Sequence, residues 1–396
     1  MTPSDDVLAR RITCPLRFNA QVACTNRRPG GVMADRVTIS QVAEEAGVSA
    51  MTVSNVLNGK PGASDETRRR VQETAERLGY RPNIAARNLK GGRSGLIGVM
   101  TLDLTNQYGL EIVRGIADEL AAAERELLIN ATYQDAVRET ERVEFLARGL
   151  VDGVLMVAPV LDQQTVDAVL HTKLPCVIVD PRRLATPLPR VTVDNYHGMR
   201  QGVQHLIDLG HRRIAYIRGE EDLESTNVRY QGYADALRLA GVDIDERLVV
   251  SCDFSYLCGF RTTARLIAEH SPTALAAGAD LMALGALDAA RAHGLDVPGQ
   301  FSVVGFDDLP QAAQTFPGLT TVRQPLHDMG QIAARALLSL IDGQPPLMEH
   351  MQLPTTLVVR ESTAPPAESS GAGVSKAAGA GAMGDRPTDG AGGDER

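Results

Sequence analysis

Short polar side chains are concentrated in one stretch, ISQVAEEAGVSAMTVSNVLNG, which runs from Ile39 to Gly59. Serine, threonine and asparagine favour helix caps over helix interiors, so helix propensity does not explain this composition. Hydroxyls and amides on short side chains can approach base edges and phosphates closely. We therefore interpret the stretch as a nucleic-acid contact surface. A solvated helical hairpin inside an enzyme is the alternative that these residues leave open.

Sequence patterns for catalysis are weak. The eight histidines form no HExxH pattern, and no G-x-S-x-G nucleophile elbow occurs. The glycine-rich segment LKGGRSG lacks the spacing of a phosphate-binding loop and is interpreted as a linker. We therefore expect no enzyme activity, no cofactor and no metal site.

Three short helices are predicted to position the polar stretch. Thr38 can cap the first helix with Gln41 at the capping-box position, and Ser49 and Ser64 can cap the second and third. Gly47 can take the positive φ that the turn between the first two helices needs. The expected miniature core is Val48, Val53 and Val56, and the expected outward residues are Ala50, Met51, Thr52, Ser54 and Asn55. This arrangement has helix-turn-helix geometry.

After Gly95 the pattern changes to alternating strands and helices. Nine near-continuous apolar runs, among them GLIGVMT, GVLMVAP and FSVVGFDD, are predicted strands. The alternation is typical of a doubly wound α/β architecture with parallel sheets, and about 270 residues would form two such lobes. A ligand is then expected between the lobes, at the carboxyl ends of the strands.

Charge is distributed unevenly along the chain. The net charge is −9, to which residues 1–34 and 35–93 each contribute +3 and the remainder about −15. A small basic module is therefore joined to a large acidic body. This distribution excludes a chain that coats nucleic acid along its whole length.

Cysteine usage and hydropathy indicate the cellular compartment in which the protein works. The five cysteines are odd in number and contain no CxxC, which predicts neither a disulfide framework nor a zinc site. Reduced thiols in the cytoplasm are expected, with Cys176 buried in a strand. No apolar run reaches about 18 residues, and residues 1–34 lack the apolar block of a secretory signal. Neither a membrane span nor export is predicted.

The segment from Val37 to Lys90 contains four dense motifs, V-T-I-x-x-V-A-x-x-A-G-V-S, T-V-S-x-V-L-N, L-G-Y-x-P-N and A-R-x-L. With these motifs it resembles the DNA-binding head of the lactose/galactose-repressor (LacI/GalR) family. The resemblance continues in HLIDLGHRRIAYIRG, ADLMALGAL and FSVVGFDD, and it covers roughly residues 37–362. It implies a small all-α helix-turn-helix head, a hinge helix and an α/β two-lobed periplasmic-binding-protein-like core. The implied function is an effector-responsive transcription regulator, in particular a repressor.

This resemblance also implies the domain boundaries. The expected parts are a disordered extension 1–36, the head 37–81, the hinge helix and linker 82–93, the core 94–363 and a disordered tail 364–396. One lobe of the core is expected to combine about 94–193 with 325–350, and the other about 194–324 with 351–363. Whether translation begins at Met1 or Met33 stays open.

The same resemblance identifies the residues that are expected to contact DNA. It implies base contacts for Ala50, Met51 and Asn55, and phosphate contacts for Thr38, Thr52, Ser54 and Asn58. Many members have arginine where Asn55 stands, and asparagine suits adenine where arginine suits guanine. The segment PNIAARNLK matches the hinge helix, which is too short to be stable alone in water and is expected to fold on DNA. Leu89 matches the minor-groove wedge, and Lys90 can reach nearby phosphates or base edges.

Effector contacts are implied in the core. The matching positions are Asn106, Tyr108, Asp180, Arg229, Phe254, Asp280 and Gln324. Charged and amide groups with one aromatic platform suit a polyol, so a small sugar or related metabolite is expected. Two features depart from the family: Ala279 replaces a common Asn or Ser, and TNQYG replaces the usual loop at the pocket mouth. Arg182 and Arg183 leave an anionic effector open as an alternative to a solvated arginine pair.

A homodimer on palindromic double-stranded DNA is the expected assembly. Closure of the lobes around the effector would change the packing of the two hinge helices, and induction and corepression both stay open. The tail contains no leucine heptad, so a dimer is expected rather than a tetramer. Two rival functions use the same two-lobed fold: an exported solute-binding protein of a transporter, and an enzyme. The enzyme would need an acidic cluster, for which Asp180 with Asp280 is the candidate pair.

Overall fold

A computed structural model describes residues 37–57, 59–80, 93–182, 186–345 and 349–367 of the chain. It contains two compact units, Met1–Ala86 and Arg87–Arg396. Four residues singled out in the sequence, together with the predicted hinge helix, lie outside the described ranges: Asn58, Leu89, Lys90 and Arg183. Within the described ranges, no helix is both long enough and apolar enough to cross a membrane.

Among its described residues, 37–57 and 59–80, the first unit contains three helices, α1 (Ile39–Glu45), α2 (Ala50–Leu57) and α3 (Asp65–Leu78). Their caps are those predicted from the sequence. The Thr38 hydroxyl accepts from the Gln41 backbone N–H, and the Thr38 backbone N–H donates to Gln41 Oε1 at 2.7 Å. The Ser49 hydroxyl accepts from the Thr52 N–H at 3.1 Å. Gly47 has φ +64°, as the turn between α1 and α2 requires.

Seven small apolar side chains form the core of this unit. They are Val42, Ala43, Ala46, Val53, Val56, Val71 and Ala75. Val48, expected in the core, is only half-buried at its edge. All three helices contribute to the cluster. The buried residues of α2 are its two valines, and Leu57 packs against the cluster, so the polar residues of α2 are available for a surface role.

The second unit contains two six-stranded sheets, as the alternating pattern predicts. The first sheet is parallel throughout, in the order β2-β1-β3-β4-β5-β11. Its strands are β1 (Leu96–Thr101), β2 (Glu126–Ala131), β3 (Gly153–Val157), β4 (Cys176–Val179), β5 (Arg190–Val193) and β11 (His350–Leu353). Helices α4 (Gln107–Ala122) and α12 (Leu326–Ile341) cover one face, and α5 (Ala136–Leu146) and α6 (Gln163–Thr172) cover the other.

The second sheet has the order β7-β6-β8-β9-β10-β12, with β12 antiparallel to β10. Its strands are β6 (Ile214–Arg218), β7 (Val249–Ser251), β8 (Ala274–Ala277), β9 (Ser302–Asp307), β10 (Thr320–Arg323) and β12 (Thr356–Val358). Helices α7 (Asn195–Asp208) and α8 (Glu224–Leu239) pack on one face, α9 (Tyr256–His270) and α10 (Asp280–Ala292) on the other, and a short α11 (Pro310–Gln314) follows β9.

All nine predicted strands are present, but the sequence did not predict the short strands β7, β11 and β12. Their omission leads to one wrong lobe boundary. The first lobe was expected to end at 350, but His350–Leu353 pairs with Arg190–Val193 in the first sheet. The chain therefore crosses to the second lobe at residues 354–355, between β11 and β12.

Two further expectations are wrong in detail. The tail does not lose order at 364, because the Ala364 carbonyl accepts from the Ser302 hydroxyl and the Ala364 N–H donates to that hydroxyl, both at 3.1 Å. Cys252 and Cys258 form a disulfide across the start of α9, although the odd cysteine count suggested none. The prediction for Cys176 is confirmed, since it is buried in β4 and burial raises the pKa of its thiol to about 12.

Candidate functional site

The surface of α2 carries the residues predicted to read DNA bases. Ala50 and Met51 are exposed, and 64% of Met51 is accessible although its side chain is apolar. Asn55 is half-buried on the same helix. A single exposed apolar side chain is common on protein surfaces, so this exposure leaves Met51 accessible to a partner without requiring one.

The residues predicted to contact phosphates are partly engaged within the head. The Thr38 hydroxyl caps α1, and the Thr52 hydroxyl lies 2.9 Å from that of Ser49. Thr52 and Ser54 are half-buried on α2. Each threonine thus fixes a helix start while remaining near the surface. Caps of this kind orient the first-turn N–H groups, which are themselves suited to phosphate oxygens.

A cavity of about 360 Å³ lies between the two lobes of the second unit. Its lining comes from the carboxyl ends of strands in both sheets, as expected for an open parallel α/β fold. The first lobe contributes Leu102, Asp103, Thr105, Asn106, Tyr108, Gln134, Ala158, Asp180, Pro181 and Arg182, and the second contributes Glu220, Leu223, Ser225, Arg229, Asp253, Phe254, Ser255, Ala279, Leu281, Asp307 and Leu309.

Five of the seven residues predicted to contact the effector line this cavity. They are Asn106, Tyr108, Asp180, Arg229 and Phe254. The structure therefore brings together side chains that are up to 148 positions apart in the sequence, from Asn106 to Phe254. Asp280 and Gln324 do not reach the cavity.

On the first lobe, Asp180 and Tyr108 form one polar unit. The Tyr108 hydroxyl donates to Asp180 Oδ2 at 2.7 Å. Burial raises the pKa of the Asp180 carboxyl, while the Tyr108 hydrogen bond and the nearby Arg229 act in the opposite direction. Burial together with Asp180 raises the pKa of Tyr108 well above its usual value, so this phenol stays protonated as a donor.

On the second lobe, Arg229 is held by several partners. Its Nε donates to Asn195 Oδ1 at 2.7 Å, and its Nη1 donates to the Gly278 carbonyl at 2.6 Å. Its guanidinium also lies over the Phe306 ring, 3.9 Å from the ring centroid. These contacts fix the guanidinium plane of a side chain that is only 5% exposed, which pre-organises its remaining donors toward the cavity.

Asp280, which was predicted to contact the effector, lies behind the cavity wall. Its side chain is fully buried, and its carboxylate accepts from the Leu309 backbone N–H at 2.8 Å and the Thr321 hydroxyl at 2.5 Å. These bonds join the start of α10 to the segment after β9 and to β10. Asp280 therefore fixes the cavity wall from behind, because its position at the first residue of α10 directs it into the core.

Gln324 is also behind the wall. Its Nε2 donates to Asp307 Oδ1 at 2.6 Å, and the residue is 3% exposed. Asp307, which the sequence interpretation missed, is the partner of Gln324 that lines the cavity. The signal was available, because Asp307 ends strand β9 just as Asp180 follows strand β4.

Asp307 lines the second-lobe wall and has a raised pKa. Burial raises its pKa to about 7, against the effects of Arg229, 4.0 Å away, and of the Gln324 hydrogen bond. The buried Asp280 has a pKa raised well above its usual value by burial and by Asp307. Near neutral pH, Asp307 can therefore both accept and donate hydrogen bonds in the cavity.

Phe254 provides an aromatic wall. Its backbone is left-handed, with φ +61°, and its ring lies so close to Gly219 that a Cβ there would be 1.9 Å from the ring. Only glycine fits at position 219 beneath this ring. The aromatic face is thus fixed between strand β6 and helix α9 at one side of the cavity.

Arg182 is engaged by acidic residues of the opposite lobe. Its guanidinium pairs with Glu220 and lies 3.4 Å from Asp222, while its backbone carbonyl accepts from the Glu224 N–H at 3.0 Å. Arg182 is therefore neither a solvated residue nor a free cation for an anionic ligand. Its pairing connects the two lobes at the edge of the cavity.

The enzyme alternative gains no catalytic pair from these contacts. The acidic pair required for an enzyme does not form at the cavity, since Asp280 is directed away from it. Among the described residues, no group of three or more His, Cys, Asp or Glu is arranged to hold a metal ion.

Comparisons with known proteins agree with this architecture. Residues 38–83 match the lacI family of bacterial regulatory proteins, and residues 203–363 match the periplasmic binding protein-like domain. Catabolite control protein A of Priestia megaterium is 33% identical over 330 residues, which cover 83% of this chain and 99% of that protein.

Two solved structures show the same likeness. A complex of the transcriptional regulator CelR with cellobiose has a TM-score of 0.63 at 33% identity, covering 83% of this chain and 100% of CelR. A lac repressor dimer bound to operator and the anti-inducer ONPF has a TM-score of 0.76 at 32% identity, covering 83% and 99%. The chain therefore belongs to the lacI family of bacterial regulatory proteins and is a DNA-binding transcription regulator, not an enzyme, with a periplasmic-binding-protein-like effector domain.

Proposed function

We propose that the protein is a repressor whose cavity binds a neutral sugar that controls its affinity for a palindromic operator. The observation that carries this proposal is the composition of the cavity wall. Five acidic side chains line it, namely Asp103, Asp180, Glu220, Asp253 and Asp307, against two arginines, Arg182 and Arg229. Carboxylates accept from sugar hydroxyls, Arg229 donates to them, and Phe254 offers a flat apolar face.

An anionic effector fits this wall poorly. Glu220 and Asp222 already engage Arg182, which leaves Arg229 as the cation facing the cavity from the described lining. Phosphate or carboxylate groups would approach an excess of acidic side chains and meet like-charge repulsion. A hydroxyl-rich neutral ligand avoids this repulsion and uses the same acceptors.

The DNA contacts belong to the same proposal. Ala50, Met51 and Asn55 read bases in the major groove, Thr38, Thr52, Ser54 and Asn58 contact phosphates, and Leu89 with Lys90 engages the minor groove. Exposure of Met51 and Ala50 on a helix with no charged residue of its own supports close approach to base edges. Because the regulator must reach chromosomal DNA, the cytoplasm is its working compartment.

A homodimer is the working assembly. Two heads on one two-fold axis match a palindromic operator. Exposed aromatic and aliphatic side chains on the second lobe, Tyr256, Leu257 and Phe316, offer apolar surface for such a contact. Light scattering of the full chain and of a chain lacking residues 368–396 is expected to give a dimer in both cases, since that tail has no leucine heptad.

Regulation follows from movement of the lobes around the cavity. The effector contacts both lobes, so it stabilises one lobe arrangement by its differential affinity for the two. Typical coupling free energies of about 1–3 kcal/mol would change operator affinity about 5- to 150-fold. The sugar weakens operator binding if it stabilises the lobe arrangement with the lower operator affinity, and it strengthens operator binding if it stabilises the other arrangement.

The test has two stages. Genomic fragments are first selected on the full-length protein, and the enriched operator is then titrated at fixed salt with and without cellobiose, D-ribose and other neutral sugars. We expect one sugar to shift the operator Kd, and we expect Asp307→Asn to abolish the shift while leaving sugar-free operator affinity within a few-fold. Specific DNA binding that no sugar influences would contradict the effector class, and absence of any enriched fragment would contradict the regulator itself.

A further inference from the structure

The segment that carries Phe254 is closed by a disulfide. Cys252 follows strand β7, Cys258 lies in the first turn of α9, and their Cα atoms are 5.9 Å apart. Three successive residues inside this small ring, Asp253, Phe254 and Ser255, line the cavity. The covalent bond therefore encloses the whole contribution of this segment to the ligand cavity.

Several weaker contacts hold the same ring. The Cys252 N–H donates to the Arg218 carbonyl at 3.0 Å, the Ser255 N–H donates to Asp253 Oδ1 at 3.0 Å, and the Cys258 N–H donates to the Ser255 hydroxyl at 3.1 Å. Phe254, in the middle, has a left-handed backbone, which is uncommon for a bulky residue and must be maintained by its surroundings.

The surroundings of the two sulfurs suit both redox states. Cys252 is buried and Cys258 is half-buried, so a thiolate from outside reaches Cys258 Sγ first. Thr262 Oγ1 lies 3.5 Å from Cys252 Sγ and 3.8 Å from Cys258 Sγ. A hydroxyl can donate to a sulfur of the disulfide and can accept from a thiol, so each state keeps a polar partner.

We propose that Cys252–Cys258 is a reversible thiol–disulfide modification site that controls the order of the Phe254 segment and, through it, sugar affinity. The coupling to sugar affinity rests on the function proposed above. Disulfides in the cytoplasm are usually transient and redox-sensing, and this one is placed where its state acts directly on a ligand cavity. Its chemical partner is a dithiol reductant.

The exchange conserves atoms and electrons. A thiolate of the dithiol attacks Cys258 Sγ, the Cys252–Cys258 bond breaks, and the Cys252 thiolate leaves and takes up a proton. The second thiol of the reductant then loses its proton and attacks the first sulfur of the reductant, which is bonded to Cys258 Sγ in the mixed disulfide. Cys258 leaves as a thiolate and takes up a proton. The protein disulfide is reduced to two thiols, and the dithiol is oxidised to a disulfide.

Reduction removes the covalent closure but leaves the hydrogen bonds. The Phe254 segment then samples other backbone conformations, and ligand binding has to order it again. We expect sugar affinity of the reduced protein to be about 3- to 10-fold weaker, the scale for ordering one side chain and its backbone on binding. Operator affinity without sugar is expected to be the same in both states.

The experiment uses the full chain, oxidised by air or reduced by dithiothreitol. Amide hydrogen exchange is measured for residues 253–258 and needs no ligand, and binding of cellobiose and the other neutral sugars is measured in parallel. Reduction is expected to speed exchange of the segment amides at least about tenfold without changing exchange in β8 or β9. Unchanged exchange in the segment would overturn the proposal.

Variants identify the responsible sulfurs. Cys252→Ser with Cys258→Ser is expected to exchange like reduced wild type under both conditions, and Cys14→Ser with Cys24→Ser, outside the described residues, to respond like wild type. A redox response that survives in the first variant, or disappears in the second, would also overturn the proposal. The wild-type comparison alone decides if the variants fold poorly. Redox-dependent exchange without binding of any sugar would support the modification site and count against the proposed effector.

Discussion

The contact surface of α2 and the wall of the cavity organise polar side chains in opposite ways. On α2 they are short, partly exposed and fixed by partners within three residues, as with Ser49 and Thr52. In the cavity they are long, buried and fixed by partners far along the chain, as with Arg229 and Gly278. A surface for a large charged polymer needs accessible groups, whereas a small-molecule site needs groups oriented in advance.

This difference predicts where mutations separate stability from binding. A change on α2 should alter DNA recognition at little cost to folding, because few intramolecular contacts are lost. A change in the cavity wall should alter both ligand binding and stability, because the same bonds serve both. The predictions below test this contrast, beginning with the largest expected effect.

Arg229→Ala should destabilise the core unit by about 3–5 kcal/mol, the range for removing one partner of a buried charged pair. The substitution strands Asn195 and the Gly278 carbonyl and removes the cation beside Asp307. Urea denaturation followed by circular dichroism measures the loss. Arg229→Lys keeps the charge but not the planar contacts, so its loss should be smaller. If Arg229→Ala were as stable as wild type, the contrast drawn between α2 and the cavity wall would be wrong.

Asp280→Ala should destabilise the same unit by about 1–3 kcal/mol, because the Leu309 N–H and the Thr321 hydroxyl lose their acceptor in the core. Asp280→Asn keeps one acceptor oxygen and serves as the matched control, with a smaller expected loss. Urea denaturation followed by circular dichroism measures the stability of both variants. If the alanine variant were fully stable yet failed to bind sugar, Asp280 would be a ligand contact and the assignment made here would be wrong.

Asn55→Arg should change base preference at one position of each half-site, with discrimination of about 1–3 kcal/mol between purines. Its cost to folding should stay within about 0.5 kcal/mol, as for other surface substitutions. Operator selection with both proteins gives the first quantity and thermal unfolding the second. Identical consensus sequences would show that Asn55 reads no base.

The stability of the core unit should fall as pH rises from 3.8 to about 7. Asp307 has a pKa raised to about 7, and burial and Asp307 raise the pKa of Asp280 well above its usual value. The native state therefore holds protons that the unfolded chain releases near its usual pKa of 3.8. Each such proton contributes at most about 1.4 kcal/mol per pH unit. Asp307→Asn should flatten this dependence in denaturation curves across the range. An equally steep dependence in the variant would assign it to other groups.

The same contrast explains what could be predicted from the sequence. The caps at Thr38, Ser49 and Ser64 depend on residues three positions away, so a local pattern was sufficient. The apolar runs likewise predicted nine strands, since each buried strand carries its own signal. Short edge strands such as β7 and β12 lack an apolar run of this kind, so the local pattern did not predict them.

The cavity wall could be predicted only in part, because its contacts are not local. Asp280 and Asp307 both stand at the end of a strand or the start of a helix, and nothing local separates the residue that faces the cavity from the one behind it. The direction is set by α10, whose first residue points toward Thr321 on β10. The Cys252–Cys258 pair was missed for a related reason, since an odd count describes the chain and not the distance between two thiols.

The central claim is that the cavity around Arg229 and Asp307 receives a neutral sugar that controls DNA binding. Its most direct test is titration of the selected operator with wild type and Asp307→Asn, at fixed salt, with and without each neutral sugar. We expect one sugar to shift the wild-type operator Kd by about 5- to 150-fold and to leave the Kd of the variant unchanged. An equal shift in both proteins would place the effector outside this cavity and contradict the account.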